Sequence, residues 1–397
     1  MIKRDEYLKK LISFKDKELI KVVTGIRRCG KSTLFKLFQE YLLNNEVEQD
    51  QIININFEDL DYEYITDYRI LYDYIKTKLN PNKKNYIFLD EIQHVENFEK
   101  AVDSLYINKN VDLYITGSNA FFLSGELATL LSGRYVEIKM LPLSFKEYSS
   151  ALPDNISIDR KFSMYTEDGG FPYLLNIPGE TDKIDYLKGI YNTIVLKDIV
   201  TRIKISDVSI LESIVKFMFD NVGNSTSAKK ISDTLTSYGR KITTPTVEKY
   251  LSALVNSFIL HKVNRYDISG KQHLKTAEKY YVTDLGLQRF LLNKNKLNLG
   301  HNIENIVFLE LIRRGYKVYI GKIGSLEVDF IAEGFGYTNY YQVAQTVKDE
   351  ETLSRELKPL NSIKDHNPKY LLTNDLTPET SHNGIRQINV IDWLLNK

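Results

Sequence analysis

Gly25-Ile26-Arg27-Arg28-Cys29-Gly30-Lys31-Ser32 carries two glycines separated by four residues, with a lysine and a serine directly after the second. That spacing suits a loop whose backbone N–H groups curl round phosphate oxygens, with Lys31 adding charge and Ser32 offering a hydroxyl to magnesium. The residues expected to touch a nucleotide are Gly25, Ile26, Arg27, Arg28, Cys29, Gly30, Lys31, Ser32 and Thr33. Further along, Tyr86-Ile87-Phe88-Leu89-Asp90-Glu91 is an apolar run that ends in two acids. Asp90 is expected to hold magnesium with Ser32, and Glu91 to take the proton of the water that attacks the γ-phosphate. ATP and Mg2+ are therefore the expected cofactors.

Two weaker signals surround this pair. Tyr114-Ile115-Thr116-Gly117-Ser118-Asn119 ends an apolar run in small polar residues, and Asn119 is the candidate for sensing the γ-phosphate. Ser132-Gly133-Arg134 precedes the strand-like 135–140, which puts Arg134 at the rim of a sheet, where an arginine can stabilise transition-state charge. Its expected action is across a subunit boundary in a homo-oligomer. Glu91, Asn119 and Arg134 thus make up the catalytic set; Ser32 and Asp90 make up the metal set.

The elements that must hold these groups can be read from hydrophobic spacing. Residues 19–24, 52–57, 86–89 and 113–116 are short apolar runs of strand length. Segments 32–43, 70–79 and 98–106 repeat apolar residues at helical spacing between those runs. The alternation predicts an α/β fold with a parallel sheet, the architecture of phosphate-loop NTPases. Beyond residue 150 the pattern turns helical, broken at Gly169-Gly170 and Pro172, as in a small lid. Residues 208–219, 228–235 and 245–258 then read as three helices, followed by strand-like 260–266 and 279–282, the layout of a winged helix. Polar 293–299 separates these from a last mixed segment. The expected domains are 1–150, 151–222, 223–292 and 293–397.

Composition sets the outer bounds. A chain of 397 residues with 43% hydrophobic and 26% charged residues is in the globular range and long enough for several cores. No apolar stretch is long enough to cross a bilayer, and the N-terminus lacks a signal-peptide pattern, so a cytoplasmic location without a membrane partner is expected. Cys29 is the only cysteine, which excludes an intramolecular disulfide. The net charge of +1 selects no partner, but residues 225–280 hold ten Lys or Arg against four Asp or Glu. Lys249, Lys262, Arg265, Lys271 and Lys275 are candidates to meet the phosphates of DNA.

Several further runs give the chain a family likeness. Leu89-Asp90-Glu91-Ile92-Gln93, Leu131-Ser132-Gly133-Arg134-Tyr135, Pro142-Leu143-Ser144-Phe145-Lys146-Glu147-Tyr148 and Gly169-Gly170-Phe171-Pro172, together with the phosphate loop, resemble a family of prokaryotic AAA-like ATPases. The resemblance implies an ATPase fold, a winged helix and a C-terminal α/β domain similar to the restriction-endonuclease fold. Arg27 and Arg28 stand where that family has paired arginines. In the tail, Glu304 and Asp329 match metal-binding acids of active nucleases, but Gln342 is neutral and Ala344 stands in place of their lysine. The tail is accordingly expected not to cut DNA and to bind a protein partner instead. The expected activity is ATP hydrolysis coupled to regulation or remodelling of a DNA- or protein-bound complex. The alternatives are a nucleotide-gated switch with little turnover and, more weakly, a magnesium nuclease.

Overall fold

The computed structural model describes residues 2–117, 131, 133–205, 207–293 and 299–396. The chain divides into two compact units, Met1–Pro142 with Asn256–Phe258, and Leu143–Val255 with Ile259–Lys397.

The first unit is built on a parallel sheet of β1 (Ile20–Thr24), β2 (Ile52–Asn56), β3 (Asn85–Asp90), β4 (Val111–Gly117) and β5 (Tyr135–Lys139) in the order β2-β3-β4-β1-β5. Helices α1 (Asp5–Phe14), α2 (Lys31–Leu43), α3 (Tyr68–Lys78) and α4 (Phe98–Tyr106) belong to the same unit. Every residue of β1 and of β3 is buried, as a sheet covered on both faces requires. Val22, Ile87, Leu89 and Ile115 pack on one face with Leu71 and Ile75 of α3 and Val102 and Leu105 of α4. On the other face Phe35 and Phe38 of α2 meet Phe88 and Tyr114, whose rings stack at 4.8 Å. Alternation along β3 thus sends Leu89 one way and Phe88 the other. Because β4 lies between β1 and β3, its C-terminal end reaches both the phosphate loop's strand and the acids.

The second unit begins with α5 (Phe145–Ala151), α6 (Ile158–Asp168) and α7 (Glu180–Tyr191), followed by a π-helical stretch, Asn192–Ile199. Next come α8 (Val208–Asp220), α9 (Ala228–Ser237) and α10 (Thr244–Asn256), then the antiparallel hairpin β6 (Leu260–Asp267) and β7 (Gln272–Val282), and α11 (Leu285–Leu292). The rest contains α12 (Leu299–Arg313), β8 (Lys317–Ile323), β9 (Leu326–Glu333), β10 (Thr338–Ala344), α13 (Glu350–Asn361), β11 (Lys369–Thr373), β12 (Thr380–His382), β13 (Ile385–Asn389) and α14 (Val390–Leu395). These strands form a single sheet in the order β12-β13-β11-β10-β9-β8-β6-β7. The hairpin joins it through parallel pairing of Arg265–Asp267 with Ile320–Lys322, so one sheet runs across residue 293. β7 begins seven residues before the strand-like run seen in the sequence, in the polar stretch that starts at Gln272.

Candidate nucleotide-binding site

Sharp backbone turns form the loop after β1. Gly25 has φ +151°, and a Cβ there would lie 2.2 Å from the Met140 carbonyl oxygen, so only glycine fits between the loop and the residue after β5. Gly30, at φ +104°, turns the chain into α2, and Arg28 takes a left-handed φ of +66°. Lys31 opens the helix and is buried; its Nζ donates to the Gly25 carbonyl at 3.2 Å and lies 3.4 Å from Oε1 of Glu91. Ser32 is exposed on the first turn. Arg27 pairs with Glu58 at 2.8 Å, and Arg28 is exposed. Cys29 is buried under the loop, and burial pushes its thiol pKa up.

The acids stand opposite. Asp90 closes β3, is buried, and accepts a hydrogen bond from the Thr116 hydroxyl. Burial pushes its carboxyl above the ordinary range, opposed by hydrogen bonds from the Ser32 and Thr116 hydroxyls. Glu91 follows in the left-handed region at φ +55°, a turn that aims its side chain back at Lys31. Its backbone N–H donates to Thr116 Oγ1 at 2.9 Å, and its Oε2 accepts from Gln93 Nε2 at 2.5 Å.

The sequence reading brought Lys31, Ser32, Asp90 and Glu91 together as one group, but three contributors lack a motif that would reveal them. Thr116 links Asp90 and Glu91 from β4. Gln93 holds the Glu91 carboxylate. Arg4, buried at the start of α1, donates to the Cys29 carbonyl at 2.8 Å and to the Leu141 carbonyl at 2.6 Å, and so ties the loop down from below. Asn119 lies outside the described residues. Arg134 is exposed just before β5, where its carbonyl accepts from the N–H of Ile20 at the start of β1. The phosphate loop leaves the other end of β1, roughly 13 Å away at about 3.3 Å per residue. The Arg134 guanidinium lies over the Tyr106 ring at 5.5 Å.

Residues 17–149, which hold the loop, both acids, Gln93, Thr116 and Arg134, match the family described as AAA domain, and residues 159–298 match a domain of unknown function. An uncharacterized protein of Haemophilus influenzae is 44% identical over 399 residues, covering 100% of this chain and 99% of that protein. The chain belongs to this family of AAA-domain proteins. A second relative, an uncharacterized protein of Methanocaldococcus jannaschii, is 31% identical over 87% of this chain and 79% of its own length. Among solved structures, the Walker-type ATPase of Pyrococcus abyssi is similar with a TM-score of 0.51 at 17% identity, covering 73% of this chain and 96% of that one. At that identity the likeness is one of fold. The family's AAA region thus coincides with the parallel sheet and its loop.

Three of the candidate basic residues in 225–280 have partners within the chain, and Lys271 is exposed. Lys262 pairs with Glu278 at 2.5 Å, and Arg265 approaches Glu327 at 3.9 Å. Lys249 donates to the Ile203 carbonyl at 3.2 Å. Among the described residues no helix is long and apolar enough to cross a membrane.

Proposed function

We propose that the first unit binds ATP with Mg2+ and hydrolyses it. The observation that carries this reading is the convergence of Lys31 and Glu91, a cation and a carboxylate 3.4 Å apart at the mouth of a glycine-turned loop. Lys31 would hold the β- and γ-phosphates with the loop's N–H groups, and the phosphates would take over the ammonium that now faces Glu91. Glu91, released from that ion pair, accepts the proton of the attacking water, with Gln93 still fixing Oε2. The exposed Ser32 hydroxyl and the Asp90 carboxylate, joined by a hydrogen bond, are oxygen donors of the kind Mg2+ prefers. The ion, when bound, neutralises charge on the phosphates.

Arg134 is too far from the loop of its own chain to reach its nucleotide, which supports a homo-oligomer in which it acts on a neighbour's ATP. The helices, hairpin and sheet of the second unit are the candidate means of coupling turnover to a DNA- or protein-bound complex. The order of α12, β8, β9, β10, α13 and β11 supports the restriction-endonuclease resemblance of the tail, and Ala344 supports a tail that does not cut.

Binding can be tested apart from turnover. With a fluorescent ATP analogue and Mg2+, Lys31→Ala should weaken affinity by about a hundredfold or more, since it removes a charge-assisted contact from a buried site. Unchanged affinity in Lys31→Ala would place the nucleotide elsewhere.

A further inference from the structure

Outside the nucleotide site, a group of charges sits where the hairpin meets the tail. Glu304 projects from α12, and Glu327 and Asp329 come from β9. Lys279 and Tyr281, two residues apart on β7 and hence on one face of the strand, reach toward them. The Lys279 side chain is 7% exposed; its Nζ lies 2.8 Å from Oε1 of Glu327 and 3.3 Å from Oε1 of Glu304. Tyr281 donates its hydroxyl to the same Glu304 oxygen at 2.6 Å. Asp329 accepts the Val343 N–H at 2.8 Å, which turns its carboxylate across the sheet towards β10.

We propose that Lys279 is the built-in cation of this carboxylate group: its ammonium replaces a divalent metal, fastens β7 to α12 and β9, and keeps the tail from binding metal. Burial works against a charged lysine, yet the carboxylates of Glu304, Asp329 and Glu327 outweigh it and hold the Lys279 pKa above its ordinary value. Asp329 moves in the opposite sense. Burial first, and then the neighbouring Glu304 carboxylate, push its carboxyl pKa well above the usual range, while Lys279 pulls it down.

A lysine of this kind excludes a metal for geometric and electrostatic reasons. A divalent ion of the Mg2+ or Mn2+ class needs about six oxygen ligands around one point, with two or more of them anionic. Here the oxygens of Glu304 and Glu327 are both turned onto a nitrogen that brings its own charge and its own N–H donors. With the ammonium between Glu304 and Glu327, these acids do not make a metal-holding group in the chain as it stands. The lysine arrives from the hairpin, outside the run of helices and strands that supplies the acids. Loss of the position-344 lysine and gain of Lys279 are therefore separate features of the sequence, and the second would close the site even if the first were reversed.

The experiment uses the full-length chain without nucleotide and Mn2+ as the probe, with bound ion followed by electron paramagnetic resonance. Lys279→Met should gain one Mn2+ site per chain, about tenfold or more tighter than any Mn2+ binding of the unsubstituted protein. Lys279→Met combined with Glu304→Gln should lose that gain. The phosphate loop contributes equally to all three proteins, so the difference reports the tail. Should Lys279→Met fold poorly, Mn2+ must raise its Tm relative to chelator by more than it raises the Tm of the unsubstituted protein, because a bound ion stabilises only the state that binds it. The proposal is overturned if the unsubstituted chain already has a Mn2+ site that Glu304→Gln abolishes. It is equally overturned if Lys279→Met neither gains Mn2+ nor is stabilised by it.

Discussion

Lys31, Glu91 and Gln93 form a chain of contacts in which one carboxylate is held from two sides. Once phosphate draws Lys31 away, the amide of Gln93 remains to fix the orientation of Glu91. Gln93→Ala should therefore lower kcat by about ten- to a hundredfold with KM nearly unchanged, the pattern of a lost orienting contact made to the base and not to the substrate. Steady-state phosphate release over a range of ATP concentrations separates the two parameters; a raised KM at constant kcat would assign Gln93 to binding. The loop, Asp90 and Glu91 were legible because their chemistry demands fixed residue types at fixed offsets. Arg4 and Thr116 were not, since an arginine at a helix start and a threonine near the end of a strand carry no local signature. What gives them a role is the sheet order, which brings the end of β4 between β1 and β3, and the return of residue 141 beneath the loop.

At the scale of elements, Asp284 shows how a buried cap sets a pH dependence. It begins α11, accepts the N–H groups of Leu287 at 3.1 Å and Gly170 at 2.6 Å, and is buried deeply enough that its carboxyl pKa is pushed up to about 6. A Cβ on Gly169 would lie 2.3 Å from this carboxylate, and its φ of +82° is left-handed, so position 169 favours glycine. A carboxyl whose folded pKa exceeds its unfolded value binds more protons when folded. Its contribution to stability is therefore largest at about pH 4 and falls as pH rises to about 6, by about 3 kcal/mol for a shift of about two units. Asp284→Ala should accordingly destabilise the second unit more at pH 4.5 than at pH 7.5. Chemical denaturation at both values checks this, and equal losses would mean that the carboxyl is ionised throughout. The hairpin was only half legible. Leu260–Tyr266 alternates visibly, whereas Gln272-His273-Leu274-Lys275 has too few apolar residues to signal a strand and is paired because β6 supplies the ladder. Lys262 and Arg265 read as a basic face because the acids that pair with them lie elsewhere in the sequence, at Glu278 and Glu327.

For the whole molecule, the parallel sheet of the first unit coincides with the AAA region, and the eight-stranded sheet of the second has no counterpart in the sequence division at residue 293. That division rested on the polarity of the run 293–299, and polarity says nothing about which strands pair. Arg134 belongs to this scale because the role proposed for it needs a second copy. Arg134→Ala should retain ATP affinity and lose turnover. Mixed with Glu91→Gln, which supplies an intact Arg134, it should regain hydrolysis in proportion to the mixed assemblies formed. Recovery in the mixture supports action between chains, and no recovery despite association removes it.

Steady-state phosphate release by Glu91→Gln, beside equilibrium ATP binding by the same protein, tests the central claim most directly. The substitution keeps size and hydrogen bonding but removes the carboxylate proposed to accept the water's proton. ATP affinity should stay within about threefold of the unsubstituted chain, and turnover should fall by about a hundredfold or more. Normal turnover in Glu91→Gln would contradict the claim.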